Sequence, residues 1–401
     1  MKISIFNGAG QVDYMFGLVS GLSQFKEDQI TVLDADITSD LFLQFPNVRY
    51  VPVFRFLPRN SSILAKILNI ARFYFKQIWF LLTSSPGIVH FQWLDRYKFI
   101  DRIILPTIAR IMGNKVVLTV HNINAGSRDN KDSRINRFSL KYLYRISNHL
   151  IVHTSLSKSE LMAEFGPSGS KISVIQHGMN NRVSLKGMKT MEARALLGAG
   201  PEEKIILFFG NIDHYKGLDI LIKSLDYLPD HFLSDFRLLI AGNSKDEHYT
   251  EKIISDISYS AHSQRITYRI CYIPDEDVEQ YFAAADCIVL PYRKIYQSGV
   301  IFMAYTFGLP IIVTDIGNFK NDMIEGKTGM IIKENTPEVL SRTIADFFNT
   351  EMYRSPERTR DFIKNWANEK YGWESIGKDT RNCYEKLFQK RHSRVAHETG
   401  G

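Results

Sequence analysis

Cysteine is scarce in this 401-residue chain: only Cys271, Cys287 and Cys383 occur, widely spaced and odd in number. That spacing excludes a disulfide framework and a cysteine metal site, and favours a reducing compartment. No run of about 18 uninterrupted apolar residues occurs, so no segment reads as a membrane span. The opening stretch, "MKISIFNGAG", lacks the long apolar core of a signal peptide. Acidic residues are rare between 51 and 150, where 16 Lys/Arg face 4 Asp/Glu. One further absence is local: "YQSGVIFMAYTFGLP" (296–310) reads as a glycine turn opening a helix, yet carries no charge.

What is present is ordinary for a globular chain, 44% hydrophobic and 23% charged. The length exceeds one ordinary core, so two domains are expected. The first half alternates strands ("KISIFN", "QITVLDA", "GIVHFQW", "KVVLTVHN", "HLIVHTS", "KISVIQHG") with helices. A weakly patterned stretch, 179–203, follows. The alternation then restarts with "KIILFFG", "FRLLIAG", "ITYRICY", "CIVLPY", "PIIVTD" and "TGMIIK". Short strands apolar on both faces belong to parallel sheets covered by helices on each side. The expected architecture is α/β: two doubly wound domains facing across a cleft, 1–185 and 186–373. A C-terminal helix at about 374–390 is expected to pack back on the first domain, with a disordered tail at 391–401.

Ligands of such sheets bind beyond the carboxyl ends of strands, which singles out four places. Gly8 and Gly10 follow the first strand and let a backbone approach a phosphate; a tight turn without ligand fits them equally. His121 and Asn122 end "LTVHN", His90 and Gln92 end "VHFQW", and His177 ends the last strand of the first half. Three histidines at strand ends fit a polar floor, or satisfied core residues. Gly210 ends "KIILFFG", and Lys216-Gly217 precede a helix, where a lysine reaches phosphate as a point charge or is merely solvated. Ser298, Gly299 and Val300 open the uncharged helix. The free amides of its first turn carry about half a positive charge, so an anion needs no charged side chain there; an ordinary serine cap fits as well.

"FFGNIDHYKGLDILIKSL", "AAADCIVLPY" and "SGVIFMAYTFGLPIIVTDIGNFKNDMIEGKTGMII", in that order, resemble the donor-binding half of family 4 glycosyltransferases. The glycine loop, "TVHN" and "ISVIQHG" extend the resemblance over nearly the whole chain. It implies the GT-B fold, two Rossmann-like domains with a nucleotide-sugar between them. It further implies that Lys216 binds the donor diphosphate, that Gly210 opens the same motif, and that Asn211 stands where the family has arginine. His121 would lie beside the donor sugar, Gly8 and Gly10 near the phosphates, and Tyr272 and Ile273 against the base. The family's two glutamates fall on Ile295 and Met303, so neither carboxylate that grips ribose and sugar is present.

The resemblance implies transfer of a sugar from a UDP- or GDP-linked donor to a glycan, in surface polysaccharide synthesis. Lys216 and the amides of Ser298, Gly299 and Val300 would stabilise the departing diphosphate. Proton transfer to that phosphate gives retention; a fixed base would give inversion, and Asp13 is the carboxylate for that role. No metal or other cofactor is implied. The alternatives are an inactive GT-B glycan-binding or partner subunit and a UDP-sugar epimerase of the same fold.

Within 63–83, helical spacing places Lys66, Asn69, Arg72, Lys76, Gln77 and Thr83 on an arc of roughly 140°, with aromatics on the rest. Over 131–145 it places Lys131, Arg134, Arg137, Lys141 and Arg145 on an arc of about 120°. Either helix flanks the sheet, or the basic block rests on an anionic membrane, which suits a lipid-linked acceptor and a protein peripheral to the inner face of the cell membrane. Nucleic acid is the competing anion, but no recognition module for it appears.

Overall fold

The computed structural model describes residues 1–8, 12–58, 60–94, 96–124, 126, 132–180, 185–295 and 298–398, with the side chains of 37, 231 and 390–398 left aside. The chain divides into two compact units, Met1–Gly178 with Tyr371–Gly401, and Met179–Lys370. Each is built on a wholly parallel sheet.

The first sheet contains β1 (Lys2–Phe6), β2 (Gln29–Ala35), β3 (Val48–Phe54), β4 (Ile88–Phe91), β5 (Lys115–Thr119), β6 (His149–Val152) and β7 (Ile172–Val174). Their order is β3-β2-β1-β4-β5-β6-β7. Sequence patterning misses only β3, because Arg49 and Pro52 interrupt its apolar run. Proline is tolerated there since β3 is an edge strand. Five helices matter below: α1 (Val12–Ser23), α2 (Ile63–Thr83), α3 (Arg134–Ile146), α4 (Gly299–Thr306) and α5 (Trp373–Glu398). Helix α5 extends into the segment from 391 expected to be a disordered tail.

α5 packs on α1 in the first unit. Glycines permit the approach: a Cβ on Gly21 would lie 2.0 Å from the Trp373 carbonyl oxygen, and one on Gly377 would lie 2.2 Å from the Gly21 carbonyl carbon. The Trp373 ring fills the space beside Gly17 and Gly178, where a Cβ would come within 1.9 and 2.3 Å.

The second sheet holds β8 (Lys204–Phe209), β9 (Phe236–Gly242), β10 (Ile266–Ile270), β11 (Cys287–Leu290), β12 (Ile311–Thr314) and β13 (Gly329–Ile332), in the order β10-β9-β8-β11-β12-β13. Strand order reverses between β1 and β4, and again between β8 and β11. Neighbouring crossovers leave in opposite directions at such points, and the strand ends open there. The loops after β1, β4, β8 and β11 are therefore the places to look for chemistry.

Candidate functional site

In the second unit, β8 runs into Gly210, whose φ of 103° suits glycine. A Cβ there would sit 3.2 Å from Val300 Cγ2 and 3.3 Å from Lys216 Nζ. The glycine thus brings the lysine and the start of α4 together. Lys216 ends the short turn His214–Lys216, and its φ-positive neighbour Gly217 presses on the loop after β11, where a Cβ would meet the Pro291 oxygen at 2.1 Å.

The side chain of Lys216 is 6% exposed, and its ammonium lies 5.2 Å from the Tyr292 ring centroid. Among the described residues it has no hydrogen-bond or ion-pair partner. Burial holds its pKa below the ordinary lysine value, partly offset by Tyr215 and Asp213. A buried cation without an ion-pair partner is costly unless something anionic arrives.

A latch that sequence reasoning missed fixes this turn. Arg293 donates two hydrogen bonds to Asp219, at 2.9 and 2.8 Å, and a third to the His214 carbonyl at 2.7 Å. Its amide donates to the Tyr215 carbonyl at 2.7 Å, and Tyr249 Oη donates to Asp219 at 3.0 Å. From the other side, Thr314 and Asn335 donate to the Tyr292 carbonyl at 2.9 and 3.2 Å. Such a two-pronged arginine–carboxylate pair is directional, and lysine cannot reproduce it. Arg293→Lys should weaken nucleotide binding by about tenfold while Lys216 remains present, read by calorimetric titration with UDP. Unchanged affinity would show that the latch does not position Lys216.

Ser298 is buried at the N-cap of α4. Its Oγ accepts from the Val300 amide at 3.3 Å and lies 3.3 Å from Tyr292 Oη. Of the three amides expected to face a phosphate, Val300's is therefore already engaged by its own cap. The Ser298 and Gly299 amides have no partner among the described residues. Gly299 borders open space: a Cβ there would meet nothing within 4 Å. Asn211 is exposed just beyond Gly210. Tyr272 and Ile273 follow β10, two strand positions from β8, with Tyr272 exposed and Ile273 buried. Neither Ile295 nor Met303 offers a polar group.

In the first unit, Gly8 has a φ of 57°, and a Cβ there would meet the Trp93 oxygen at 2.2 Å. Contact with the loop after β4 is enough to require glycine at that position. Gly10 lies outside the described residues. Asp13 stands in the first turn of α1. His177 is held below the ordinary histidine pKa, at about 4, by burial, which its bond to the Gly178 carbonyl and the nearby Asp13 partly oppose.

His121 forms the centre of a ring cluster. Its centroid lies 4.5 Å from Trp93, 4.6 Å from Tyr14 and 5.0 Å from His153. The proton positions follow from the bonds. His153 Nδ1 lies 3.0 Å from the Ile175 carbonyl, which can only accept, so Nδ1 carries the proton. Its Nε2 then accepts from His121 Nδ1 at 3.2 Å. Burial first, and the neighbouring histidines next, keep His121 neutral. Its Nε2 is therefore a bare acceptor, buried and without a partner among the described residues. His90 is engaged instead, with Thr119 at 2.8 Å and Tyr384 at 2.5 Å. Among the described residues no group of three or more His, Cys, Asp or Glu is placed to hold a metal ion.

Residues 190–368 match the family described as Glycosyl transferases group 1. An uncharacterized glycosyltransferase of Methanocaldococcus jannaschii is 22% identical over 360 residues, 85% of this chain and 86% of that protein. The D-inositol 3-phosphate glycosyltransferase of Corynebacterium diphtheriae is 24% identical over 232 residues, which is 54% of this chain and only 52% of that enzyme. Among solved structures, HepE of Anabaena in complex with UDP superposes with a TM-score of 0.73 at 14% identity, over 96% of this chain and 100% of that one. The fold is thus GT-B, as the motifs imply.

Proposed function

We propose that this chain, a glycosyltransferase carrying a group 1 domain, moves a sugar from a UDP- or GDP-linked donor to the hydroxyl of a lipid-linked glycan, in surface polysaccharide synthesis. The observation that carries this reading is the buried Lys216 ammonium, which has no ion-pair partner among the described residues, set where strand order reverses beside a Gly299 amide that has no partner among them either. A diphosphate supplies an ion-pair partner, and HepE, of the same fold, has been solved with UDP and with UDP-glucose.

As the bond between the anomeric carbon and the phosphate oxygen breaks, its electron pair moves onto the diphosphate. Lys216 Nζ and the Ser298 and Gly299 amides are preorganised donors for that charge. The acceptor hydroxyl bonds to the anomeric carbon and releases its proton to the departing phosphate, on the same face, so configuration is retained. Asp13, beside His177, is the base an inverting course would require. The bare His121 Nε2 suits a sugar hydroxyl as its hydrogen-bond donor. The site of action is the cytoplasm, at the inner face of the membrane.

Incubating the protein with UDP- and GDP-sugars, with and without lipid-linked glycan, tests this. Nucleoside diphosphate release that depends on acceptor, with a product of unchanged anomeric configuration by NMR, is expected. Sugar conversion without acceptor would establish an epimerase instead, and the absence of both turnover and nucleotide-induced stabilisation would establish an inactive subunit.

A further inference from the structure

Helix α2 is amphipathic in an unusual sense. Its sheet-facing side includes Asn69 and Gln77 beside Phe73, Tyr74 and Leu81. Its outward side carries Leu64, Leu68, Phe75, Trp79 and Leu82, each between 49% and 65% exposed. At 3.6 residues per turn these five fall within an arc of about 60°, opposite the buried side. The inverted pattern holds because Asn69 is fully used: it donates to the Arg55 carbonyl at 2.7 Å and accepts from the Arg55 amide at 3.3 Å, just beyond edge strand β3. The polar arc expected from the sequence is therefore split. Asn69 and Gln77 point inward, and the aromatic residues Phe75 and Trp79, stacked 6.1 Å apart, point outward.

Charge lies along one flank of this stripe. Arg72 and Lys76 follow it, Lys66 falls on the opposite side of the helix, and α2 has no acidic residue. Beside it a cavity of 210 Å³ is lined by Arg55, Arg72 and Lys76, with Asp36 as its only acid. Lys76 reaches the Pro52 carbonyl at 2.6 Å, and burial and then Arg72 hold its pKa below the ordinary lysine value. α3 contributes less than its sequence implies: Arg137 is paired with Asp132 and Glu164, at 3.0 and 2.8 Å, and Lys131 lies outside the described residues. No helix among the described residues is long and apolar enough to cross a membrane.

We propose that α2 is an interfacial membrane helix. Its outward stripe enters the acyl boundary of an anionic bilayer, and the cavity formed by Arg55, Arg72 and Lys76 takes a lipid headgroup phosphate. An apolar face next to a flank where Arg55, Arg72 and Lys76 outnumber the single acid Asp36 is what such a surface requires, and charge complementarity selects an anionic bilayer. This rests on the reading of a lipid-linked acceptor, to which it would bring the enzyme.

The test is flotation of the full chain with vesicles of phosphatidylcholine alone and with added phosphatidylglycerol, with tryptophan emission recorded. Binding at least tenfold tighter to the anionic vesicles, with a blue shift absent in Trp79→Phe, is expected. Phe75→Ser with Trp79→Ser should abolish flotation, and Arg72→Glu with Lys76→Glu should remove the preference for anionic lipid. Both double variants should keep the parent's melting temperature and its stabilisation by UDP, so failure at the membrane is separable from failure of the donor site. No binding to anionic vesicles would overturn the proposal, as would a dimer that Phe75→Ser with Trp79→Ser dissociates.

Discussion

A Lys216→Met variant should melt above the parent in the absence of nucleotide, yet gain no stability from UDP. Methionine keeps much of the side chain's length and removes an ammonium that is buried with no ion-pair partner among the described residues. Relief of that burial is worth roughly 1–3 kcal/mol, a few degrees in melting temperature for a unit of this size. Turnover should fall by about 10²–10³-fold, the usual cost of losing a preorganised donor to transition-state charge.

The pH dependence gives a second readout. The folded pKa of Lys216 lies below its unfolded value, so its penalty is fully present below the folded pKa and disappears as pH rises towards the unfolded one. The variant's advantage should shrink accordingly at alkaline pH. Bound diphosphate raises that pKa, so UDP binding at a pH above the depressed value should take up a proton in the parent and not in the variant, measurable by calorimetry in buffers of different ionisation enthalpy. A variant with lower stability, or with normal turnover, would contradict the assigned role.

The first unit should be markedly acid-labile. His90 and His153 are 0% and 7% exposed, and burial holds both at a pKa of about 3. An unfolded histidine titrates near 6.5, so below that pH the unfolded chain binds more protons and stability falls with pH. From pH 6.5 to 5 each histidine costs about 1.6 kcal/mol, and the pair about 3, out of a typical total of 5–15. Urea titrations at the two pH values, followed by tryptophan emission, measure this, since Trp79, Trp93 and Trp373 all lie in this unit. In His153→Gln the loss should be smaller by about 1.6 kcal/mol. Equal stability at both pH values would show that the histidines protonate without unfolding the unit.

Much of the fold is legible in residue order. Runs such as "KVVLTV" and "KIILFF" are apolar on both faces, which parallel strands buried under two layers of helix require. β3 was not legible, because an edge strand tolerates Arg49 and Pro52. Helix spacing located α2 to its ends but not which side turns inward, since that depends on the Arg55 backbone groups to which Asn69 bonds. Lys216 was legible through its place between Gly210 and Gly217. The Arg293–Asp219 latch was not, because its partners are 74 residues apart. The one available signal was that Tyr292-Arg293 follow a strand at the reversal of sheet order.

The most direct test is a crystal structure of the chain with UDP. The β-phosphate should lie within hydrogen-bond distance of Lys216 Nζ and the Gly299 amide, at the carboxyl end of β8. A diphosphate bound elsewhere, with Lys216 still without a partner, would contradict the account.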